Sequence, residues 1–192
     1  MTLKDKEVLN FLFETAMLRR IKHEGWRFAG VEFPDSVAEH SLRAAQIGYV
    51  LAHMEGYENP ERVATMLIFH DLAESRTGDQ HLIAKKYIKS DEEAALRDQV
   101  KHLGKLGENI IELWGQIERR DDMAGKIAKD ADWLEQALTA KEYMEKGYKD
   151  AKIWIRNGRK LAHFKTTKRL MDKLLKMNSS DWCKDLNVAK NY

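Results

Sequence analysis

Apolar residues recur along this chain every three or four positions, and no segment of useful length alternates with period two. Leu9, Leu12, Phe13, Ala16 and Met17 form one such stripe with Arg20 in register, which predicts a helix over about 5–23, closed by Gly25. Trp26 to Asp35 reads as a loop containing Pro34. Ser36-Val37-Ala38-Glu39 then has the form of a capping box, in which the Ser36 side chain and the Glu39 carboxylate each accept from the other's backbone N–H. The second helix runs from there to about Met54. Asn59-Pro60-Glu61 is another start signal, with Asn as cap and Pro in the first helical position. The third helix carries Val63, Met66, Leu67 and His70 and ends by Thr77-Gly78. After a connection of about a dozen residues, Ser90-Asp91-Glu92-Glu93 offers a second capping box and a helix to about Leu103. Further helices are expected over about 108–119, 122–146 and 158–177. Ile153-Trp154-Ile155 is too short to count as a strand. The pattern predicts an all-α, single-domain helical bundle over 1–178, followed by a polar tail over 179–192.

Composition narrows this without changing it. Two prolines in 192 residues leave long stretches free to be helical, and 33% charged residues beside 43% hydrophobic ones suit helices with solvated outer faces. Net charge is +2 with the signs interspersed, which argues against a nucleic-acid arm or a polybasic membrane anchor. Lys165, Lys168, Arg169, Lys173 and Lys176 read as a solvated face of the last helix. The lone cysteine, Cys183, excludes an intrachain disulfide and reads as an incidental thiol beside Trp182. No run approaches 18 apolar residues, so no membrane span is expected. The N-terminus, with Lys4, Asp5, Lys6 and Glu7, lacks the apolar region of a signal peptide, and a cytoplasmic placement is expected.

The candidate chemistry lies in three acids and two histidines. His70-Asp71 stands in His-Asp-Leu-Ala-Glu at the end of the third helix. At about 100° per residue, His70, Asp71 and Glu74 share a face if the helix persists. His40 falls in the first turn of the second helix, above Ala44, Ile47 and Val50. Asp132 interrupts the apolar stripe Ile127-Ala131-Leu134-Leu138. Two imidazoles and two carboxylates from three helices suit one divalent ion, Mn²⁺, Co²⁺, Fe²⁺, Ni²⁺ or Zn²⁺, better than Mg²⁺.

This order, His … His-Asp … Asp, resembles the signature of the HD-domain superfamily of phosphohydrolases over about residues 5–150. It is similar above all to the 5′-deoxynucleotidase-like branch, through Gly25-Trp26, Ser36-Val37-Ala38-Glu39-His40-Ser41, His70-Asp71-Leu72-Ala73-Glu74 with Thr77-Gly78-Asp79, and Ala131-Asp132 with Leu134-Glu135. The resemblance implies a helical bundle, typically a homodimer, that removes phosphate from deoxyribonucleoside 5′-monophosphates. It implies His40, His70, Asp71 and Asp132 as metal ligands and Glu74 as the residue acting on the nucleophilic water. Asp79 is implied near the substrate phosphate and sugar, and Trp26 near the nucleotide. Some members place an arginine directly before the tryptophan, where this chain has Gly25; Arg20 or Arg27 is then the candidate for phosphate. Other readings are an HD hydrolase of a triphosphate, alarmone or cyclic nucleotide, and a non-catalytic helical dimer with a structural metal. Complete Glu74 and Asp79 argue against the last. His53 faces about 220° away from His40 on its helix. His81 and His102 lack supporting motifs, and His23 and His163 carry none. Trp114, Trp133, Trp154 and Trp182 read as packing residues.

Overall fold

The computed structural model describes residues 3–186. Ten α-helices, α1 (Asp5–Thr15), α2 (Val37–Met54), α3 (Pro60–Phe69), α4 (Glu74–Thr77), α5 (Leu82–Tyr87), α6 (Glu92–Val100), α7 (Lys105–Arg119), α8 (Met123–Glu145), α9 (Lys152–Leu161) and α10 (Lys165–Leu174), form an all-α bundle among the described residues. The long helix α8 runs through its centre, packed by α2, α3, α7, α9 and α10.

The start of α2 matches its sequence signal. Glu39 N–H donates to Ser36 Oγ at 3.3 Å, and Ser36 N–H donates to the Glu39 carboxylate at 2.7 Å. Asn59 caps α3 and Asp122 caps α8 in the same manner. Elsewhere the boundaries move. The first helix stops at Thr15 and tightens into a 3₁₀ turn, Ala16–Arg19, because the backbone of residues 21–23 is claimed by residues 35–37. Lys22 and Ser36 form an antiparallel bridge, Val37 N–H donates to the Ile21 carbonyl at 3.0 Å, and His23 N–H donates to the Asp35 carbonyl at 3.0 Å. The expected loop 26–35 begins as a second 3₁₀ turn, Glu24–Ala29, stopped by Gly30 at φ +84°. The third helix breaks after Phe69, and residues 70–73 turn tightly before α4. The connection after it carries α5. Asp91, not Ser90, caps α6, accepting from Ala94 N–H at 2.9 Å. The expected last helix is two, α9 and α10, and α9 embraces the short apolar run at Ile153. Ser179, in the expected tail, donates to Glu145 on α8 at 3.1 Å. Asp181–Leu186 is a 3₁₀ turn, and the rest of that tail lies outside the described residues.

Two apolar clusters hold these elements. The larger gathers Trp26, Leu51, Met66, Leu67, Ile127, Ile155 and Met171 around α8; the smaller joins Phe11, Leu18, Leu72, Leu96 and Ile110 beneath α1 and α6. Where α2 meets α3, a Cβ at Gly48 would lie 2.3 Å from Leu67 Cδ1 and 3.1 Å from Val63 Cγ1. No other residue type fits there without displacing a core side chain.

Candidate metal centre

The first turn of α2, the turn after α3 and the middle of α8 converge on one buried point. His40, His70 and Asp132 are 1%, 6% and 4% exposed. His40 Nε2 lies 3.2 Å from His70 Nε2, 3.3 Å from Asp132 Oδ1 and 3.7 Å from Asp71 Oδ2. His70 Nε2 lies 3.1 Å from Asp71 Oδ2. The break after α3 is what turns His70 and Asp71 together, since Glu74 N–H bonds back to the Asp71 carbonyl at 3.0 Å in a tightened turn.

The far side of each imidazole is already committed. His70 Nδ1 faces the Leu67 carbonyl at 2.8 Å, and His40 Nδ1 hydrogen-bonds Glu135 Oε2. With these partners behind them, neutral imidazoles keep their protons on Nδ1, and both Nε2 lone pairs then aim at each other. Two such lone pairs 3.2 Å apart fit a shared cation, and this is the arrangement by which metal-ligating histidines are oriented. Glu135 is itself fixed: Arg43 donates to Oε1 through Nε at 2.9 Å and Nη2 at 2.7 Å, and Thr139 Oγ1 donates to it at 2.8 Å. Arg43 also reaches Glu142 at 2.7 Å.

The electrostatics favour positive charge at this point. Burial works against a charge on His40, yet hydrogen bonds to Asp132 and Glu135 outweigh it and hold its pKa well above the ordinary value. Burial likewise opposes charge on Asp132, but Lys129, His40 and His70 keep its carboxyl well below the usual range. Lys129 Nζ donates to Asp132 Oδ2 at 2.8 Å, and Gln136 Nε2 donates to Oδ1 at 2.9 Å. Glu74, 8% exposed, has Oε2 without a hydrogen-bond partner. Burial, then the charges of Asp71 and Asp79, push its carboxyl up to about 10. A divalent cation among these acids reverses the local field that raises it.

Beside this point opens a cleft of about 1130 Å³, bordered by His23, Trp26, Phe28, Asp79, Gln136 and Trp154 among others. It is slightly larger than the roughly 300–1,000 Å³ usual for ligand sites. Asp79 is anchored at its edge by Glu24 N–H, which donates to Oδ2 at 2.7 Å. Trp26 is 2% exposed, with Trp154 tilted against it at 4.6 Å and Tyr143 edge-on at 5.2 Å. It is a core residue that lends an edge to the cleft. Arg20 is exposed and turns back on Met17 Sδ at 3.3 Å. Arg27 pairs with Glu24 and donates to the Glu32 carbonyl at 3.0 Å. Neither arginine lines the cleft.

Three participants had no signal of their own in the sequence. They are Arg43, Lys129 and His23, the last standing between Lys22 and Glu24 with no motif. The His23 ring lies 4.4 Å from that of His40. His81, by contrast, caps α5 by accepting from Ala84 N–H at 3.0 Å.

A family model described as HD domain matches residues 15–175. A protein named 5′-deoxynucleotidase HDDC2 from Dictyostelium discoideum is 32% identical over 70% of this chain and 76% of its own length. Its Homo sapiens namesake is 28% identical over 77% of this chain and 74% of its own length. A conserved hypothetical protein from Pyrococcus furiosus superposes with a TM-score of 0.72 at 27% identity, covering 88% of this chain and 99% of that one. A predicted metal-dependent phosphohydrolase from Magnetospirillum magnetotacticum shares the fold, with a TM-score of 0.66 at 21% identity over 89% of this chain and 90% of that one.

Proposed function

Because the chain belongs to the HD-domain family, we propose that it removes phosphate from deoxyribonucleoside 5′-monophosphates, with His40, His70, Asp71 and Asp132 holding one divalent ion. The observation that carries this is the meeting of two imidazole Nε2 atoms and two carboxylates at a buried point, each imidazole fixed from behind. The names of the similar human and Dictyostelium proteins support the substrate class. The donor set suits Mn²⁺, Co²⁺, Fe²⁺, Ni²⁺ or Zn²⁺. When bound, such an ion polarises a phosphoryl oxygen and lowers the pKa of water beside it.

The chain's own residues do the rest. Glu74 lies one turn past Asp71 with a free carboxylate oxygen, and it takes the proton from the attacking water. Asp79, tied to the Glu24 amide, orients the sugar at the cleft edge. Positioning and charge neutralisation supply most of the acceleration in such a site. The same reading includes a homodimer, implied by the family resemblance, and a cytoplasmic placement, which the single cysteine suits. Among the described residues no helix is long and apolar enough to cross a membrane.

Phosphate release from a panel of deoxy- and ribonucleoside mono- and triphosphates, with and without added Mn²⁺ or Co²⁺, tests the reading. Metal-dependent release from deoxyribonucleoside 5′-monophosphates is expected. Release confined to triphosphates would move the chain to another kind of HD hydrolase, and no release with either ion would overturn catalysis altogether.

A further inference from the structure

His23 reaches the candidate metal centre by a route unlike that of the other residues there. The Lys22–Ser36 bridge lays residues 21–23 alongside the entry to α2, and this pairing carries the imidazole across to His40. Although its side chain is only 12% exposed, it borders the large cleft. A ring nitrogen of His23 and donor atoms of His40 and Asp71 all lie within 4.8 Å of one another.

Its orientation repeats that of the two histidines already described. Nδ1 faces Asp35 Oδ2 at 3.5 Å. Asp35 is held in turn by Tyr143, whose hydroxyl donates to Oδ1 at 3.0 Å and accepts from the Asp35 N–H at 3.1 Å. A carboxylate behind Nδ1 keeps the proton there and leaves Nε2 as a lone pair, as Glu135 does for His40 and the Leu67 carbonyl does for His70.

We propose that His23 is a third imidazole of the metal centre, its Nε2 binding the same ion on the side of Asp71. The donor set is then three imidazoles and two carboxylates. Nitrogen-rich sites favour Co²⁺, Ni²⁺ and Zn²⁺ over Mn²⁺, so His23 shifts the choice of ion in that direction. This rests on reading His40, His70, Asp71 and Asp132 as a metal centre, and the experiment separates the two.

Metal-stripped protein is titrated with Co²⁺ and with Mn²⁺ against a competing chelator, for the wild type, His23→Ala and His23→Gln, and the visible spectrum of each Co²⁺ form is recorded. Changing a group that merely orients a ligand costs about 10- to 100-fold in affinity, and a direct ligand costs no less. His23→Ala is expected to lose at least about tenfold for Co²⁺ and less for Mn²⁺. Its Co²⁺ bands move to longer wavelength, and added imidazole restores them. Circular dichroism checks the fold, and His23→Gln, which offers a weaker oxygen donor, carries the same test if His23→Ala does not fold. Unchanged Co²⁺ affinity and spectrum in a folded variant overturn the proposal and leave His23 a neighbour of the site. A wild type that binds neither ion sinks the metal centre and the proposal together.

Discussion

Asp130 and Asp132 stand two residues apart on α8, both buried, at 0% and 4% exposure, and they face opposite parts of the molecule. Asp130 accepts from the backbone N–H groups of His163 at 2.7 Å and Phe164 at 3.0 Å, and from His163 Nδ1 at 2.8 Å. Its whole capacity goes into docking the start of α10, where the first turn of a helix leaves N–H groups without partners. Asp132 makes no backbone contact of this kind. Its partners are Lys129, Gln136 and His40, and its neighbours are other acids and imidazoles. The same side chain, equally buried on the same helix, completes the fold on one face and gathers unlike charges on the other. Burial of a carboxylate therefore says little about its purpose; the identity of the donors around it says more.

Removing each acid in turn breaks this comparison most directly. Asp132→Ala is expected to abolish both metal retention and activity while the protein stays folded, because it deletes one of the proposed donors. Asp130→Ala is expected to keep its metal stoichiometry and lose about 2–4 kcal/mol of stability, for loss of a cap and of a buried acceptor. Metal analysis and thermal melts of the two variants read these outcomes. Full metal occupancy in Asp132→Ala would remove it from the ligand set.

The next effect is kinetic and separates the acids within the site. Glu74→Gln keeps the shape and removes the basic carboxylate, so kcat should fall by at least about 10²-fold with metal content and substrate binding retained. Metal loss in this variant would make Glu74 a ligand, and a fall of less than tenfold would pass the role to Asp79. The smallest effect belongs to an acid far from both faces. Glu14 pairs with Arg76, whose hydrogen bond is the main reason its carboxyl lies below the ordinary range. A lowered value means stability that is present above about pH 4.3 and lost as pH falls through the folded-state value. Glu14→Gln should cost no more than about 1 kcal/mol at pH 7, and the difference from wild type should vanish in melts toward pH 3.

What the sequence made legible was whatever is encoded locally. Ser36 and Glu39 announce α2 because a capping box needs only four residues, and the order His40, His70-Asp71, Asp132 is visible without coordinates. The contacts that escaped depend on pairings distant in the chain. His23 reaches His40 through the Lys22–Ser36 bridge, and nothing in Lys22-His23-Glu24 foretells a bridge 14 residues away. The break after Phe69 escaped because His70-Asp71-Leu72-Ala73 carries no proline or glycine. The packing of Trp26 escaped too: it lies against Trp154, on a helix whose short apolar run Ile153-Trp154-Ile155 gave too little periodicity to be read.

Gly48 lies two helical turns beyond His40, outside the donor set. Leu67 Cδ1 lies only 2.3 Å from where its Cβ would be, at the meeting of α2 and α3, and these two elements carry His40 and lead into His70. A methyl group there must first displace the side chain of Leu67, the residue whose carbonyl faces His70 Nδ1, so the apolar packing and the site meet in one residue.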